Sequence, residues 1–495
     1  MASQPSVSGA RVLTGDDRPG DDRPGVCVLP IPYADPVAAF APFAALPFAA
    51  FLDSAGAEAD AFERNRYSYI AVDPFKTVTA GDGAALVDGM PVARDPFTAL
   101  ANEMARYRYD GFEAPVPFAG GAVGFFGYEL GGHLERLPEP AAADLDFPGM
   151  AVGLYDTIAA FDTRERRAWV LAVDAAPGRA PASIRAQAMA AGIANASPLA
   201  PLDSHAWGAW SPDVSRADYE TMIRRAIDYI FAGDVFQVNL AQRFRGRLEK
   251  DIDAFALYRR LRALNPAPYA AFLRPGVDKA VVSTSPECFL KLDRAGRVAT
   301  WPIKGTRPRG KTPAEDAALA DALVHSDKDR AENLMIVDLL RNDLSRVCAV
   351  GSVETAKLFA LESFAAVHHL VSEVRGTLEA DRDALDLLRA TFPGGSITGA
   401  PKIRAMEIIA ELEPVRRGPY CGAIAWLGFD GAMEASIVIR TITVSGRDLA
   451  AQAGGGIVAD SDPAREYAET LDKIGPLLCA LDPAYGVGEN KEDGS

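Results

Sequence analysis

Between Cys421 and Val458 the chain reads as three strands separated by two short turns, and this pattern constrains the fold more than any other stretch of its 495 residues. Cys421 to Leu427 turns at Gly428 to Met433 into Glu434 to Val444, and Ser445 to Asp448 turns into Leu449 to Val458. Connections this short join antiparallel neighbours, because a parallel pair needs a crossover of a dozen residues or more. Helical patterns accompany them. Ser215 to Ala232 has Ser215 as N-cap and Gly233 as terminator, and Asp462 to Ala480 opens on Asp462-Pro463. Ser326 to Arg346 sets Ser326 and Asp329 in capping-box-like spacing, with Leu334, Val337, Leu340 and Leu344 as its apolar positions. The expected fold class is α+β, with large antiparallel β-sheets packed in a layered sandwich and helices on the outside.

Residues 26–175 also read as strand-rich, most clearly at Ser68 to Val72 and Ala168 to Val173. Residues 176–209, rich in Ala, Pro and Ser, hold one helix-like stretch without a core pattern and are expected to link that region to a second one at 210–480. Residues 1–25 contain the tandem Gly15-Asp-Asp-Arg-Pro-Gly20 and Asp21-Asp-Arg-Pro-Gly25 and lack apolar periodicity, which predicts a disordered tail; 481–495 form a polar tail.

Hydrophobic residues make up 49% of the chain, enough for a large core, while 67 acidic against 51 basic residues give a formal net charge of −16. A field of that sign repels phosphate backbones and anionic lipid, so neither nucleic acid nor a membrane is an expected partner. A small anionic substrate would need local cations or a metal ion. The Ala/Phe-rich run at 36–52 is interrupted by Pro42 and Pro47, too broken to span lipid, and the amino terminus lacks the basic-then-apolar order of a secretion signal. Cys27, Cys288, Cys348, Cys421 and Cys479 form no Cys-x-x-Cys pair. That fits neither a disulfide framework nor a zinc site and points to the cytoplasm.

Alternation within Glu434 to Val444 places Val438, Arg440 and Ile442 on one face, so a guanidinium among apolar neighbours needs an anionic partner, either an internal carboxylate or a ligand. Gly454-Gly455-Gly456 interrupts the next strand, as a place of close ligand approach or as a bulge. Glu332 and Glu469 lie on two different helices; alone each is a surface charge, and together they are hard oxygen donors of the kind Mg²⁺ takes. Glu287 follows Ser285-Pro286 at a strand end, where a carboxylic acid can reach a leaving hydroxyl. His369 lies in the apolar run Val367 to Val371, the setting of a satisfied core histidine. Lys304 follows the strand Arg297 to Trp301 and by itself reads as a solvated loop charge, although Gly305-Thr306 lets backbone approach a bound anion.

Taken in order, eight motifs change the weight of these single residues. They are Gly233-Asp-Val-Phe-Gln-Val-Asn-Leu240, Asn265-Pro-Ala-Pro-Tyr269, Ser285-Pro-Glu287, Trp301 to Gly310 around Lys304, Ala331 to Asp343, His369-Leu-Val-Ser372, Pro393-Gly-Gly-Ser-Ile-Thr-Gly-Ala-Pro-Lys402 and Ala453 to Asp460. Together they resemble the chorismate-utilising enzymes, and within them the aminodeoxychorismate synthase component I branch, over about Trp210 to Leu478 with a weaker match from Pro30 onward.

The resemblance implies that Gly305, Thr306, Tyr420, Arg440 and a turn at Gly454, Gly455 and Gly456 hold chorismate, with Lys473 as a cation near it. It implies Mg²⁺ on Glu332 and Glu469, Glu287 as the acid at the departing ring hydroxyl and His369 as the active-site imidazole. Lys304 separates the branches: anthranilate synthases carry alanine here and admit ammonia at C2, whereas a lysine occupies C2 covalently and sends ammonia to C4. To attack, that amine must be neutral, and burial and the divalent ion are expected to lower its pKa. Isochorismate-forming relatives place a water-activating lysine where this chain has Gln237, which disfavours water as nucleophile. No cysteine stands in the elbow of a class I glutamine amidotransferase, so a separate glutaminase subunit is the implied ammonia source. Ser54, after Leu52-Asp53, and Pro268-Tyr269 match places where relatives hold tryptophan, either as feedback inhibitor or as structural ligand. Anthranilate synthase component I and a catalytically silent scaffold for a glutaminase are the alternative readings.

Overall fold

Two antiparallel sheets, of thirteen and twelve strands, form the centre of the computed structural model, which describes residues 11–13, 25–55, 66–81, 84–93, 95–107, 114–139, 141, 143–202, 205–249, 252–363 and 367–486. The larger sheet passes from Val26–Ile31 through Arg167–Val173, Thr157–Asp162, Tyr67–Ala71 and Ala50–Asp53 to Tyr269–Gly276. It continues through Lys279–Ser285, Thr441–Ser445, Asp448–Ile457 and Gln237–Leu248 to Gly208–Pro212. The smaller sheet runs from Ile303–Pro308 through Val367–Thr377, Arg297–Thr300, Cys288–Leu292, Met433–Ile437 and Ala423–Gly428 to Gly121–Phe126 and beyond. Each sheet therefore takes strands from both 26–175 and 210–480, and the two regions share their sheets.

Inward-facing side chains of both sheets meet in one core that includes Tyr69, Phe118, Phe125, Tyr155, Leu273 and Trp426. Outer faces are closed by helices. Ala182–Ala194, Ala254–Leu264 and Pro463–Leu481 cover the larger sheet, and Pro96–Ala105, Ala384–Thr391 and Lys402–Leu412 pack on the other side. Each fully buried Phe or Leu of these layers contributes about 1.5–3 kcal/mol relative to exposure.

Ser215, Ser326 and Asp462 each accept the expected N-cap hydrogen bond, from Asp218 N, Asp329 N and Arg465 N. Three expectations need correction. The stretch at 176–209 is more than a linker: Ala182, Ala186, Met189 and Ile193 are buried at helical spacing against the larger sheet, a stripe masked in the sequence by the small size of alanine. Leu334 is 45% exposed, and the buried face of the Asp327–Ser345 helix carries Asn333, Ile336, Val337, Leu340 and Leu344. Glu434 to Val444 is two strands rather than one. Met433–Ile437 belongs to the smaller sheet and Thr441–Ser445 to the larger, so Val438, Arg440 and Ile442 do not share a face. Arg11–Leu13 pairs with Val26–Ile31. The rest of the expected 1–25 tail up to Pro24, and 487–495 of the carboxyl-terminal tail, lie outside the described residues. None of the five cysteines is in a disulfide, and no helix among the described residues is long and apolar enough to cross a membrane.

Candidate active site

Where the chain crosses from one sheet to the other it builds the site. The crossing at Val438 to Arg440 is fixed by Cys421 N to Val438 O at 2.7 Å and by Thr284 N to Arg440 O at 3.1 Å. Arg440 has a φ of +52°, so its side chain leaves the strand pattern. Its guanidinium donates to the Lys473 carbonyl, burial works against its charge, and among the described residues no carboxylate pairs with it. An unpaired, largely buried cation is an anion receptor in waiting. Tyr420, 6% exposed, lies close by, and burial keeps its hydroxyl protonated.

Gly454, Gly455 and Gly456 form neither a turn nor a bulge. They pair in unbroken register with Ala241, Leu240 and Asn239. Their lack of side chains makes room: a Cβ at Gly455 would stand 3.0 Å from Glu466 Oε2, 3.6 Å from Glu469 Oε1 and 3.8 Å from Lys473 Nζ. A Cβ at Gly456 would run into the Gln237 amide and lie 3.1 Å from Glu332 Oε1. Glu466, Glu469 and Lys473 share one stripe of the Pro463–Leu481 helix, and Lys473 Nζ pairs with Glu469 at 2.6 Å and donates to Gly454 O at 2.9 Å.

Lys304 is in a strand, Ile303–Pro308, and not in a loop. Register against Val367–Thr377 shifts between Ile303 and Thr306, where Gly305 takes a φ of +84°. Lys304 Nζ lies 2.9 Å from Glu332 Oε1 and donates to the Ser396 carbonyl at 3.4 Å. Burial opposes its charge, but Glu332, with Glu287 and Glu469 behind it, outweighs burial and holds the ammonium above the usual lysine range. Burial does act to lower this pKa, as expected, but the carboxylates around it outweigh it. Glu332 also accepts from Gln237 Nε2 at 2.8 Å. Its helix is tied to the strand Val367–Thr377 by Asn333, whose amide donates to Leu370 O at 3.2 Å.

Glu287, 8% exposed, is raised above the ordinary carboxyl range by burial, against the Ser396 hydroxyl and the Lys304 cation. Such a group keeps its proton longer than a surface glutamate and suits an acid. His369 Nδ1 lies 2.9 Å from Thr306 Oγ1, and burial together with Arg440 pushes its pKa down to about 4, leaving a neutral ring. Ser54, Pro268 and Tyr269 come together elsewhere, in a pocket between the sheets that also takes in Tyr69, Trp426 and Glu434.

Sequence reasoning passed over Ser396, Glu466 and the buried Lys402–Asp343 pair at 2.7 Å. Ser396 and Lys402 sit inside the Pro393 to Lys402 motif, which was recognisable as a block without revealing which of its side chains faces the site.

Among the described residues no group of three His, Cys, Asp or Glu side chains forms a complete metal cage. Glu332, Glu466 and Glu469 nevertheless border the same side-chain-free strand, and a magnesium ion asks for one or two carboxylates, keeping water and substrate oxygens for its other positions. The residues fit such an ion.

An arginine without a carboxylate partner among the described residues, a protonatable carboxyl and two lysines already held by glutamates define an enzyme site for a small carboxylate. Residues 52–479 match the model of the chorismate binding enzyme family, and the chain belongs to that family. It is 45% identical over 448 residues to aminodeoxychorismate synthase component 1 of Klebsiella aerogenes, covering 90% of this chain and 96% of that one. It is 41% identical over 432 residues to anthranilate synthase component 1 of Thermus thermophilus, covering 85% and 90%. Among solved structures, anthranilate synthase component I from Streptococcus pneumoniae superposes with a TM-score of 0.75 at 33% identity, covering 85% of this chain and 93% of that one.

Proposed function

We propose that this chain is the chorismate-aminating component of an aminodeoxychorismate synthase, a cytoplasmic enzyme that converts chorismate and ammonia to 4-amino-4-deoxychorismate on the route to 4-aminobenzoate and folate. Lys304, enclosed with Glu332 and Ser396, is the observation that carries the reading. Arg440 and the backbone at Gly454 to Gly456, past the point where that strand's pairing with Thr441–Ser445 ends at Ala451, receive the substrate's carboxylates, with Tyr420, Lys473, Gly305 and Thr306 around the ring.

The Lys304 amine adds at C2 while the C4–O bond breaks, and Glu287 gives its proton to the departing hydroxyl, releasing water. Ammonia then forms the C4–N bond as the lysine nitrogen leaves C2. Glu332 and Glu469 would hold Mg²⁺, which would anchor and polarise the ring carboxylate and draw the Glu332 charge away from Lys304. With that charge engaged, burial favours the neutral amine that the attack requires. His369, neutral at physiological pH, serves as a hydrogen-bonding ring beside Thr306. Ammonia comes from a separate class I glutaminase subunit. The pocket at Ser54, Pro268 and Tyr269, with its aromatic lining and half-buried Glu434, is read as a tryptophan-type pocket.

The test is product analysis with chorismate, Mg²⁺ and an ammonium salt, and then with Lys304→Ala. Wild type should aminate C4 with ammonium and fail with glutamine alone. The variant should make less of that product and turn toward C2, giving aminodeoxyisochorismate or anthranilate. Anthranilate from the wild-type chain, or undiminished C4 product from the variant, contradicts the reading.

A further inference from the structure

Two of the eight motifs carry buried polar side chains to which the amination gives no task, Asn333 in Ala331 to Asp343 and Ser372 in His369-Leu-Val-Ser372. Both are 0% exposed, and they meet. The Ser372 hydroxyl donates to Asn333 Oδ1 at 2.5 Å and accepts from Phe359 N at 3.1 Å, while the Asn333 amide donates to Leu370 O at 3.2 Å. Ser372 also reaches the opposite way through its backbone. Its N–H donates to Pro302 O at 3.2 Å, and beside it Val371 pairs with Ile303. One serine therefore touches both elements that bring Lys304 and its carboxylate partner together: its backbone holds the chain two residues before Lys304, and its hydroxyl holds the residue after Glu332.

Consecutive residues of an α-helix point about 100° apart, so the direction of one sets the direction of the next. Asn333 is pinned to the strand Val367–Thr377 through both its amide oxygen and its amide nitrogen. That fixes the rotation of the helix Asp327–Ser345 about its axis at this turn, and with it the direction in which Glu332 leaves. The same strand fixes the position of Lys304 through Pro302 and Ile303, just before the register shifts at Gly305. A buried amide and hydroxyl cost more to leave unmatched than an exposed pair, so this bridge has one favoured arrangement.

We propose that Ser372 and Asn333 are positioning residues, a hydrogen-bonded bridge that sets the Glu332 carboxylate against the Lys304 amine. The 2.9 Å contact between Lys304 Nζ and Glu332 Oε1 is the distance the bridge maintains. Its consequence for magnesium, which Glu332 would help to hold, rests on the aminating reading of the site. The bridge itself does not.

Ser372→Ala and Asn333→Ala each remove one side of the bridge. Ile336→Val trims the same buried helix face without touching it and is the control for lost stability alone. In the metal-free full-length chain, hydrogen-exchange mass spectrometry should show faster exchange both in the strand Ile303–Pro308 and in the first turns of Asp327–Ser345 for each alanine variant. Ile336→Val should leave the strand unchanged. Calorimetric titration without chorismate should show the Mg²⁺ dissociation constant raised about 10-fold in each alanine variant, the lower end of what loss of an outer-shell partner costs, because the bridge acts on Glu332 through the helix backbone. The KM for Mg²⁺ with chorismate and ammonium should rise in step, and Ile336→Val should keep both values. Since the two residues act through one hydrogen bond, the double variant should lose no more Mg²⁺ affinity than the weaker-binding single variant. A wild type that neither binds Mg²⁺ nor turns over chorismate would defeat the aminating reading, and the exchange rates would still decide the bridge. Unchanged exchange at Ile303–Pro308 in Ser372→Ala, multiplied losses in the double variant, or an equal loss of Mg²⁺ affinity in Ile336→Val overturns the proposal.

Discussion

Thr284 holds Arg440 in the left-handed region by donating its N–H and its hydroxyl to the Arg440 carbonyl, at 3.1 and 3.2 Å. A non-glycine residue there costs on the order of 1 kcal/mol or more, and such residues gather at functional sites. The sequence pattern put Arg440 on a strand face because nothing in it marks the crossing between sheets. That it needs an anionic partner was legible, and the structure leaves the partner to come from outside. Arg440→Ala should therefore cost about 2–5 kcal/mol in kcat/KM for chorismate, mostly through KM, with a Tm unchanged or higher because an unpaired buried charge is gone. A fallen Tm with an unchanged KM would make Arg440 structural. His369 gives a pH signature at the same scale. Its folded pKa of about 4 lies below the ordinary 6.5, so the unfolded chain binds more protons between those values and stability rises with pH across that window. Denaturant unfolding should show up to about 3 kcal/mol lost between pH 7 and pH 4 on this account, and His369→Gln should flatten that slope. An identical slope in the variant would sink the assignment.

At the scale of elements, the strand Asp448–Ile457 shows why three consecutive glycines are compatible with a sheet. Its pairing with Gln237–Leu248 continues through them, so the strand needs the neighbouring ladder and the covering helix for the order that glycine does not supply. Boundaries set by caps were legible at Ser215, Ser326 and Asp462, since capping is local chemistry. The break in Glu434 to Val444 was not, because it depends on which sheet each half meets. Gly454→Ala separates backbone need from site need: its Cβ would strike the Leu240 carbonyl, a backbone atom that cannot swing aside. Overpacking of this kind costs about 1–3 kcal/mol, so the variant should melt lower even without substrate. The Cβ of Gly455→Ala meets only the ends of Glu466, Glu469 and Lys473, so it should keep its Tm and lose activity. Equal Tm values for the two variants would contradict this division.

For the whole molecule, the eight ordered motifs made the family and the site legible, while the sharing of sheets was not. The pairing of Ala270 to Leu273 with Ala50 to Asp53, and of Ala423 to Gly428 with Gly121 to Phe126, joins residues far apart in the chain with no local mark of the contact. Those pairings decide how the molecule divides. A chain of residues 210–480 alone would expose two strand edges in the middle of its sheets and uncover the core faces that Tyr69, Phe118, Phe125 and Tyr155 now close. Unpaired edges of this length invite association, and the lost aromatic burial removes several times about 1.5–3 kcal/mol, beyond the margin of an ordinary domain. The 210–480 fragment should therefore give no cooperative thermal transition by circular dichroism and should aggregate or bind a hydrophobic dye, although it contains every residue assigned here to the chemistry. Co-expression with residues 26–209, which carry the missing strands and the Ala182–Ala194 helix that covers them, should restore a cooperative melt and ammonium-dependent turnover, because the missing strands can pair across a broken chain. A soluble fragment that melts cooperatively by itself would show the larger region to be an independent unit, with the amino-terminal strands added to sheets already complete.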